Sequence, residues 1–317
     1  MDLLYQIHCK RDKSGVSALW TLVSGAAKLG EKIKKRVWAL GQRMSFIDSE
    51  SIATATASAL HRFNRYEIKY YLPEVKIPEF REQVQQRMDM DVHDSGHSRR
   101  VSSIYYDSRD LLFYWEKIEG LRFRRKLRIR AYGEPESINE DSTVFVEIKQ
   151  RVNRVTQKRR IPLPYKQARV LCEQWRDPGN PAVRQAFVNE VLMLGETADL
   201  LPVAMTTYHR EAYVGVDADL GLRITMDHNI QGRNKELSLD QRAENKYIVP
   251  PQISIVEVKA NERVPTWFTD LAARMGLEVV RVSKYCKAIE ATAALPDIRL
   301  KRRNVPEPLS LTIHKMR

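Results

Sequence analysis

Each alternating segment of this chain carries one apolar face and one charged face, and that regularity limits the folds open to it. In RRKLRIRAYG (124–133), Arg124, Lys126, Arg128 and Arg130 point one way, and Leu127, Ile129 and Ala131 point the other, because side chains alternate along a strand. In RYEIKYYL (65–72), Arg65, Glu67 and Lys69 oppose Tyr66, Ile68 and Tyr70. In TVFVEIKQR (143–151), Glu147, Lys149 and Arg151 oppose Val144, Val146 and Ile148, and in QKRRIPL (157–163) Lys158 and Arg160 oppose Ile161 and Leu163. Tyr208 shares a face with Arg210, Arg223 with Thr225 and Asp227, and Glu257 with Lys259. Like charges about 6 Å apart repel by about 3 kcal/mol at an effective dielectric near 20. Such faces are therefore either fully solvated or held for an anion.

One solvated charged face is ordinary. A set of them built from recurrent Glu-x-Lys pairs (Glu67/Lys69, Glu147/Lys149, Glu257/Lys259) and otherwise rich in Arg, the bidentate phosphate binder, is not. The pattern predicts an α+β fold: an antiparallel eight-stranded β-barrel, or tunnel, with flanking helices. Its charged faces line a wet lumen and its apolar faces lie outward under the helices. Glutamates among the cations suit a divalent metal bridging carboxylate and phosphate oxygens.

The eight strands are expected at 65–72, 101–108, 124–132, 143–151, 157–163, 202–216, 220–230 and 252–260. Helices are expected at 78–90, with Pro78 near its first turn, at 165–175, 182–194, 266–276 and 283–295, with a connector or short helix at 109–120. Three regions follow: a basic, amphipathic extension (1–61), the tunnel domain (62–296) and a basic tail (297–317). The extension contains VSALWTLVSGAAKLG (16–30), read as a basic amphipathic helix suited to an anionic surface. It falls short of the roughly 18 apolar residues of a spanning helix.

The net charge of +13 points to an anionic partner. Three widely spaced cysteines (Cys9, Cys172, Cys286) argue against a disulfide framework or zinc knuckle and for a cytoplasmic, reducing location, with a peripheral membrane contact as an option. No P-loop, dinucleotide fingerprint or helix-turn-helix appears, which disfavours nucleic acid as partner. His93 and His97 lie in a Gly/Ser loop and read as solvated, Cys286 as a packed helix residue, and the clustered tyrosines (Tyr66, Tyr70, Tyr71, Tyr105, Tyr106) as structural.

The segments RYEIKYYL, SSIYYDS, KLRIRAYG, VEIKQR, KRRIPL, TTYHREAY, LRITMD, VEVK and RVSKYCKAI follow one another in the order seen in VTC-domain proteins. These belong to the triphosphate tunnel metalloenzyme, or CYTH-like, superfamily, and the chain resembles them over roughly 62–290. The resemblance implies phosphate-binding roles for Lys69, Arg128, Arg130, Lys149, Lys158, Arg210 and Arg223, joined by Tyr208 and by Arg281 and Lys284 of RVSKY. It implies a metal, Mn2+ or Mg2+, on Glu257, with Glu67 and Glu147 as further candidates. The superfamily's opening E-x-E-x-K appears here as Arg65-x-Glu67-x-Lys69, so one carboxylate of the hydrolytic members is absent. Water attack favours an extra base, whereas a phosphate-chain end is already an anion. The expected activity is thus an inorganic polyphosphate polymerase that transfers the γ-phosphoryl of ATP, with Arg128, Arg130, Lys149 and Arg210 as the catalytic clamp and Lys126 and Arg124 nearer the tunnel mouth. The alternatives are a metal-dependent triphosphatase and a non-enzymatic polyanion-binding module. ATP or another triphosphate and inorganic polyphosphate are the expected partners, with a separate membrane protein for any transport.

Overall fold

The computed structural model describes residues 65–91, 98–153, 155–180, 183–261 and 263–292. The expected extension and tail, and His93 and His97, lie outside the described residues.

Eight long strands alternate with helices: β1 (Arg65–Pro73), α1 (Ile77–Gln85), β2 (Met88–Met90), β3 (Arg99–Asp107), α2 (Leu112–Ile118), β4 (Phe123–Tyr132), β5 (Thr143–Val152), β6 (Val155–Pro164), α3 (Tyr165–Glu173), α4 (Gln185–Ala198), β7 (Leu201–Gly215), β8 (Arg223–Arg233), β9 (Lys246–Tyr247), β10 (Ile253–Asn261), α5 (Thr266–Arg274), β11 (Glu278–Val279) and α6 (Lys284–Thr292). The helix expected over 78–90 stops at Gln85. Met88–Met90 instead pairs antiparallel with Tyr213–Gly215, because Met88 is buried and Asp89 exposed, a period of two.

All eleven strands form one sheet, in the order β11-β1-β10-β8-β7-β3-β4-β5-β6, with β2 on β7 and β9 on β8. The expected eight-stranded closed barrel is corrected on two points: there are three additional short strands, and the hydrogen-bonded path is open. The two free edges explain the opening. β11 occupies the edge of β1 at Tyr70 and Tyr71, while β6 carries Pro162 and Pro164, which have no N–H to give to a neighbour.

The sheet nevertheless curls. β1 and β5 lie six steps apart in the strand order, about 29 Å in a flat sheet. Yet Lys149 on β5 lies 3.3 Å from Glu67 on β1. The charged faces therefore turn toward one another, and ion pairs span the gap that backbone pairing leaves open.

Apolar packing maintains the curl. Outside, α3 and α4 bury Leu171, Val188 and Val191 against Leu127, Ile129, Val146 and Ile148. Trp175 packs so closely on α4 that a Cβ at Gly195 would overlap its ring. On the other flank, α1 and α5 bury Phe80, Val84, Phe268 and Leu271 against Tyr213, Ile224, Val256 and Val258. The third cluster lies on the charged side. There α6 packs Tyr285, Ala288 and Ile289 against Tyr105, Ala204, Tyr208 and Ile255 and caps one end of the concave face. Asp107 fixes this cap. It accepts from the backbone N–H groups of Ser108, Phe113 and Tyr114 and from the Tyr285 hydroxyl.

Candidate functional site: a curled sheet with a cationic inner face

On β4, β5 and β6 one buried carboxylate gathers three cations. Glu147, 1% exposed, accepts from Arg128 Nε at 2.7 Å, pairs with Lys158 Nζ at 2.7 Å, and has Arg160 at 4.0 Å. The register sets this up, since Glu147 faces Arg128 on one side and Arg160 on the other. Burial alone would raise the Glu147 carboxyl, but Arg128, Arg130 and Lys158 hold it well below the usual carboxylate range. Arg128 also donates to the Tyr105 hydroxyl at 3.0 Å.

Deeper in, cations converge on Tyr208. Arg130 donates to its hydroxyl at 3.1 Å and to Ser103 Oγ at 3.0 Å. The Arg210 guanidinium lies 5.2 Å, and the Lys284 ammonium 4.7 Å, from its ring centroid. Arg210 grips Asp227 with two bonds of 2.6 and 2.8 Å, and Lys284 donates to the same carboxylate. Arg130 is 5% exposed, and among the described residues it has no carboxylate partner. Lys126, half-buried, likewise has no carboxylate partner among the described residues. It donates to Ser283 Oγ at 2.8 Å and lies over the Tyr285 ring.

A third group sits on β1 and β10. Glu67 and Glu257 both reach the Lys69 ammonium, at 3.4 and 3.5 Å, and Lys259 pairs with Glu257. Lys69 also donates to the Val282 carbonyl.

These contacts sort the expected residues. Arg128, Arg130, Lys158, Tyr208, Arg210, Lys284, Lys69 and Lys149 all reach the inner face. Arg210 and Lys149 do not meet Arg128 at one point, since Asp227 holds the first and Glu67 the second. Lys126 lies deeper than expected, because the start of α6 covers it. Arg223 turns to Asp91. Arg281 is exposed and joins none of these pairs. Asp227 and Tyr105 were missed as site residues. Asp227 had been visible on a charged face, but nothing local marks which cation it holds, and the phase of Tyr105 on β3 was the only hint for that residue.

Glu67 and Glu257 share a cation and could share a divalent metal, with phosphate oxygens completing the shell. Glu147 stands apart, already ringed by Arg128, Lys158 and Arg160. Among the described residues no group of three or more His, Cys, Asp or Glu side chains is arranged to hold a metal.

Ten cations (Lys69, Lys126, Arg128, Arg130, Lys149, Lys158, Arg160, Arg210, Lys259, Lys284) thus face four carboxylates (Glu67, Glu147, Asp227, Glu257). The excess is tempered by pKa. Burial pulls Lys126 down to about 8, helped by Lys149 and Lys69. Burial, with Arg128 beside it, does the same to Lys158, also to about 8. Burial would push the Tyr105 phenol up, but Arg128, Arg130 and Lys126 bring it down to about 7. All three groups lose positive charge or gain negative charge as pH rises. Affinity for inorganic triphosphate, measured by titration calorimetry, is expected to fall between about pH 7 and pH 9. Tyr105→Phe should flatten the lower part of that fall. A flat or rising profile in the unmodified protein would contradict these assignments.

Comparison with known proteins identifies the family. The chain is 26% identical over 227 residues to vacuolar transporter chaperone complex subunit 4 of Trypanosoma cruzi. It is 28% identical over 225 residues to the subunit of the same name from Trypanosoma brucei brucei. Each match covers 60% of this chain and spans 28% of the relative's length. Among solved structures, a Hippeastrum protein titled as an adenylyl cyclase with a dominant triphosphatase activity aligns with a TM-score of 0.45 at 12% identity, over 71% of this chain and 95% of its own. A Bacillus halodurans protein titled as an adenylate cyclase gives 0.42 at 12% identity, over 69% and 95%. Both scores are low, and neither bears on the reading of the site. The family model described as VTC domain matches residues 64–293, which include all of the described strands, and on that span the chain belongs to the VTC domain family.

Proposed function

We propose that this chain is a polyphosphate polymerase domain that transfers the γ-phosphoryl of ATP to the end of an inorganic polyphosphate chain. The observation that carries this reading is the excess of cations over carboxylates on the inner face, where buried Arg130 and half-buried Lys126 form no ion pair among the described residues. A sheltered cation bonded to hydroxyls alone is costly. A polyphosphate removes that cost along the whole inner face.

In this reading Arg128, Arg130 and Lys158 hold the donor's terminal phosphates, and Arg210 and Lys284 swing from Asp227 toward the acceptor chain. Glu67 and Glu257 would hold Mn2+ or Mg2+, which when bound neutralises charge on phosphate oxygens. A terminal oxygen of the acceptor forms the new P–O bond, the bond from the γ-phosphorus to the β–γ bridging oxygen breaks, and ADP leaves. The cations align the reactants and neutralise charge on the leaving oxygen, the two contributions phosphoryl transfer most needs. No general base is required of the acceptor. This accords with Arg65 standing where a third carboxylate would otherwise open the β1 motif.

No described helix is long and apolar enough to cross a membrane. The relatives' name refers to a complex, and we extend to this chain a membrane-protein partner and a cytoplasmic position for the domain. Incubation with ATP and Mn2+, followed by electrophoresis for polyphosphate, is expected to show polymer. Orthophosphate release from triphosphate without polymer would turn the reading to a triphosphatase.

A further inference from the structure

The inner face is ionic along most of its length but changes character where β4 ends and β5 begins. The last residues of β4 and the first of β5 keep the same phase of alternation there, with Tyr132 two residues beyond Arg130 and Phe145 two residues before Glu147. The two rings meet edge to face, their centroids 5.7 Å apart. A guanidinium covers each ring: Arg99 lies 4.4 Å above Tyr132, and Arg160 lies 4.7 Å above Phe145. Both rings and Arg99 are half-buried, and Arg160 is exposed. A flat, partly open stack of rings and planar cations thus adjoins the Arg128 and Arg130 cluster.

Phosphate does not explain this stack. The face of an aromatic ring is electron-rich and repels an anion, so a tunnel that only threaded polyphosphate would have no use for rings in line with its cations. A nucleobase is different. It stacks on rings and on guanidinium planes, with little preference among bases. The spacing also suits a nucleotide. Phe145 faces Arg130 in the β4–β5 register and lies about 7 Å along β5 from Glu147, so the stack directly borders the phosphate cluster.

We propose that Arg99, Tyr132, Phe145 and Arg160 form a stacking site for the base of the donor nucleoside triphosphate, oriented with its phosphates toward Arg128 and Arg130. This rests on the reading of the inner face as a phosphate site, and it goes beyond that reading in giving the donor a direction and the site a tolerance for different bases. The donor enters at the aromatic end, γ-phosphate first, and the polymer end meets it from the interior.

The test compares ATP, CTP and inorganic triphosphate as competitors for one labelled triphosphate, on the full chain. Phe145→Leu keeps an apolar side chain on β5, and Arg99→Gln removes a guanidinium outside the phosphate cluster. Each is expected to weaken ATP binding by about tenfold, and CTP binding by less, with inorganic triphosphate binding unchanged. Equal losses for ATP and inorganic triphosphate, or no loss for ATP, would overturn the stacking site while leaving the phosphate site standing. Failure of the unmodified protein to bind any of the three would overturn both. A thermal melt of each variant separates loss of the site from loss of the fold, and Arg99→Gln, which leaves both rings in place, decides the question if Phe145→Leu does not fold.

Discussion

Glu257→Gln is expected to lower polyphosphate synthesis by about a hundredfold or more while leaving metal-free triphosphate binding intact or tighter. Glu257 is 7% exposed, and Lys69 and Lys259 both pair with it. Burial would raise its carboxyl, but Lys259, Lys69 and Arg210 hold it well below the usual range. It is therefore an anion at any working pH and fit to bind a cation. The amide keeps the shape but not the charge, so in the proposed reading the metal would lose its main anchor. Its share of transition-state stabilisation, several kcal/mol, would go with it. The same change frees Lys69 and Lys259 for phosphate, which is why binding should not suffer. Assaying synthesis and triphosphate titration side by side separates the two effects. Unaltered turnover would remove Glu257 from the metal site.

Asp227→Asn should have the largest effect on folding. Asp227 is wholly buried between Arg210 and Lys284. Burial would raise its pKa, but those two cations reverse the shift and hold the carboxyl below its usual range. A carboxylate whose folded pKa is depressed adds stability above its unfolded value and loses it as pH falls through the folded one. At neutral pH its whole contribution is present. Removing the charge leaves two largely sheltered cations against a neutral amide, at a cost of about 3–5 kcal/mol. Urea denaturation at neutral pH should show this loss, and triphosphate should restore much of it by pairing with Arg210 and Lys284 in place of Asp227. If the variant is as stable as the parent without ligand, the two cations do not depend on Asp227. If triphosphate fails to restore it, they do not face the phosphate site.

Much of this arrangement could be read along the chain. The charged phase of β4, with Arg128 and Arg130 inward and Leu127 and Ile129 under α3 and α4, follows from alternation alone. So do the eight long strands and the hairpins β4–β5 and β5–β6, whose registers pair Arg128 with Glu147 and Glu147 with Arg160. The short strands were not legible, since two or three residues carry too little pattern to distinguish them from a turn. Neither was the open seam, which depends on β11 reaching the edge of β1 after the chain has passed through α5. Tyr105 read as structural because a tyrosine among tyrosines has no local mark. Its site role rests on the contact with Arg128 and the stacking of Tyr285 from α6.

The sequence by itself determined which side of each strand is ionic, because the direction of a side chain is a local property of extended backbone. It also determined that cations outnumber carboxylates on those sides, and hence that the face suits an anion. Only the tertiary structure decided which charges meet. Lys149 reaches Glu67, Lys126 reaches Ser283, and Arg130, Arg210 and Lys284 gather on Tyr208. Those partners lie far apart in the chain, and the distance between them is set by how far a twisted sheet curls when helices bury its outer face. No short segment encodes that curvature, so the excess of cations around Arg130 and Lys126, on which the functional reading rests, appears only once the sheet has curled around them.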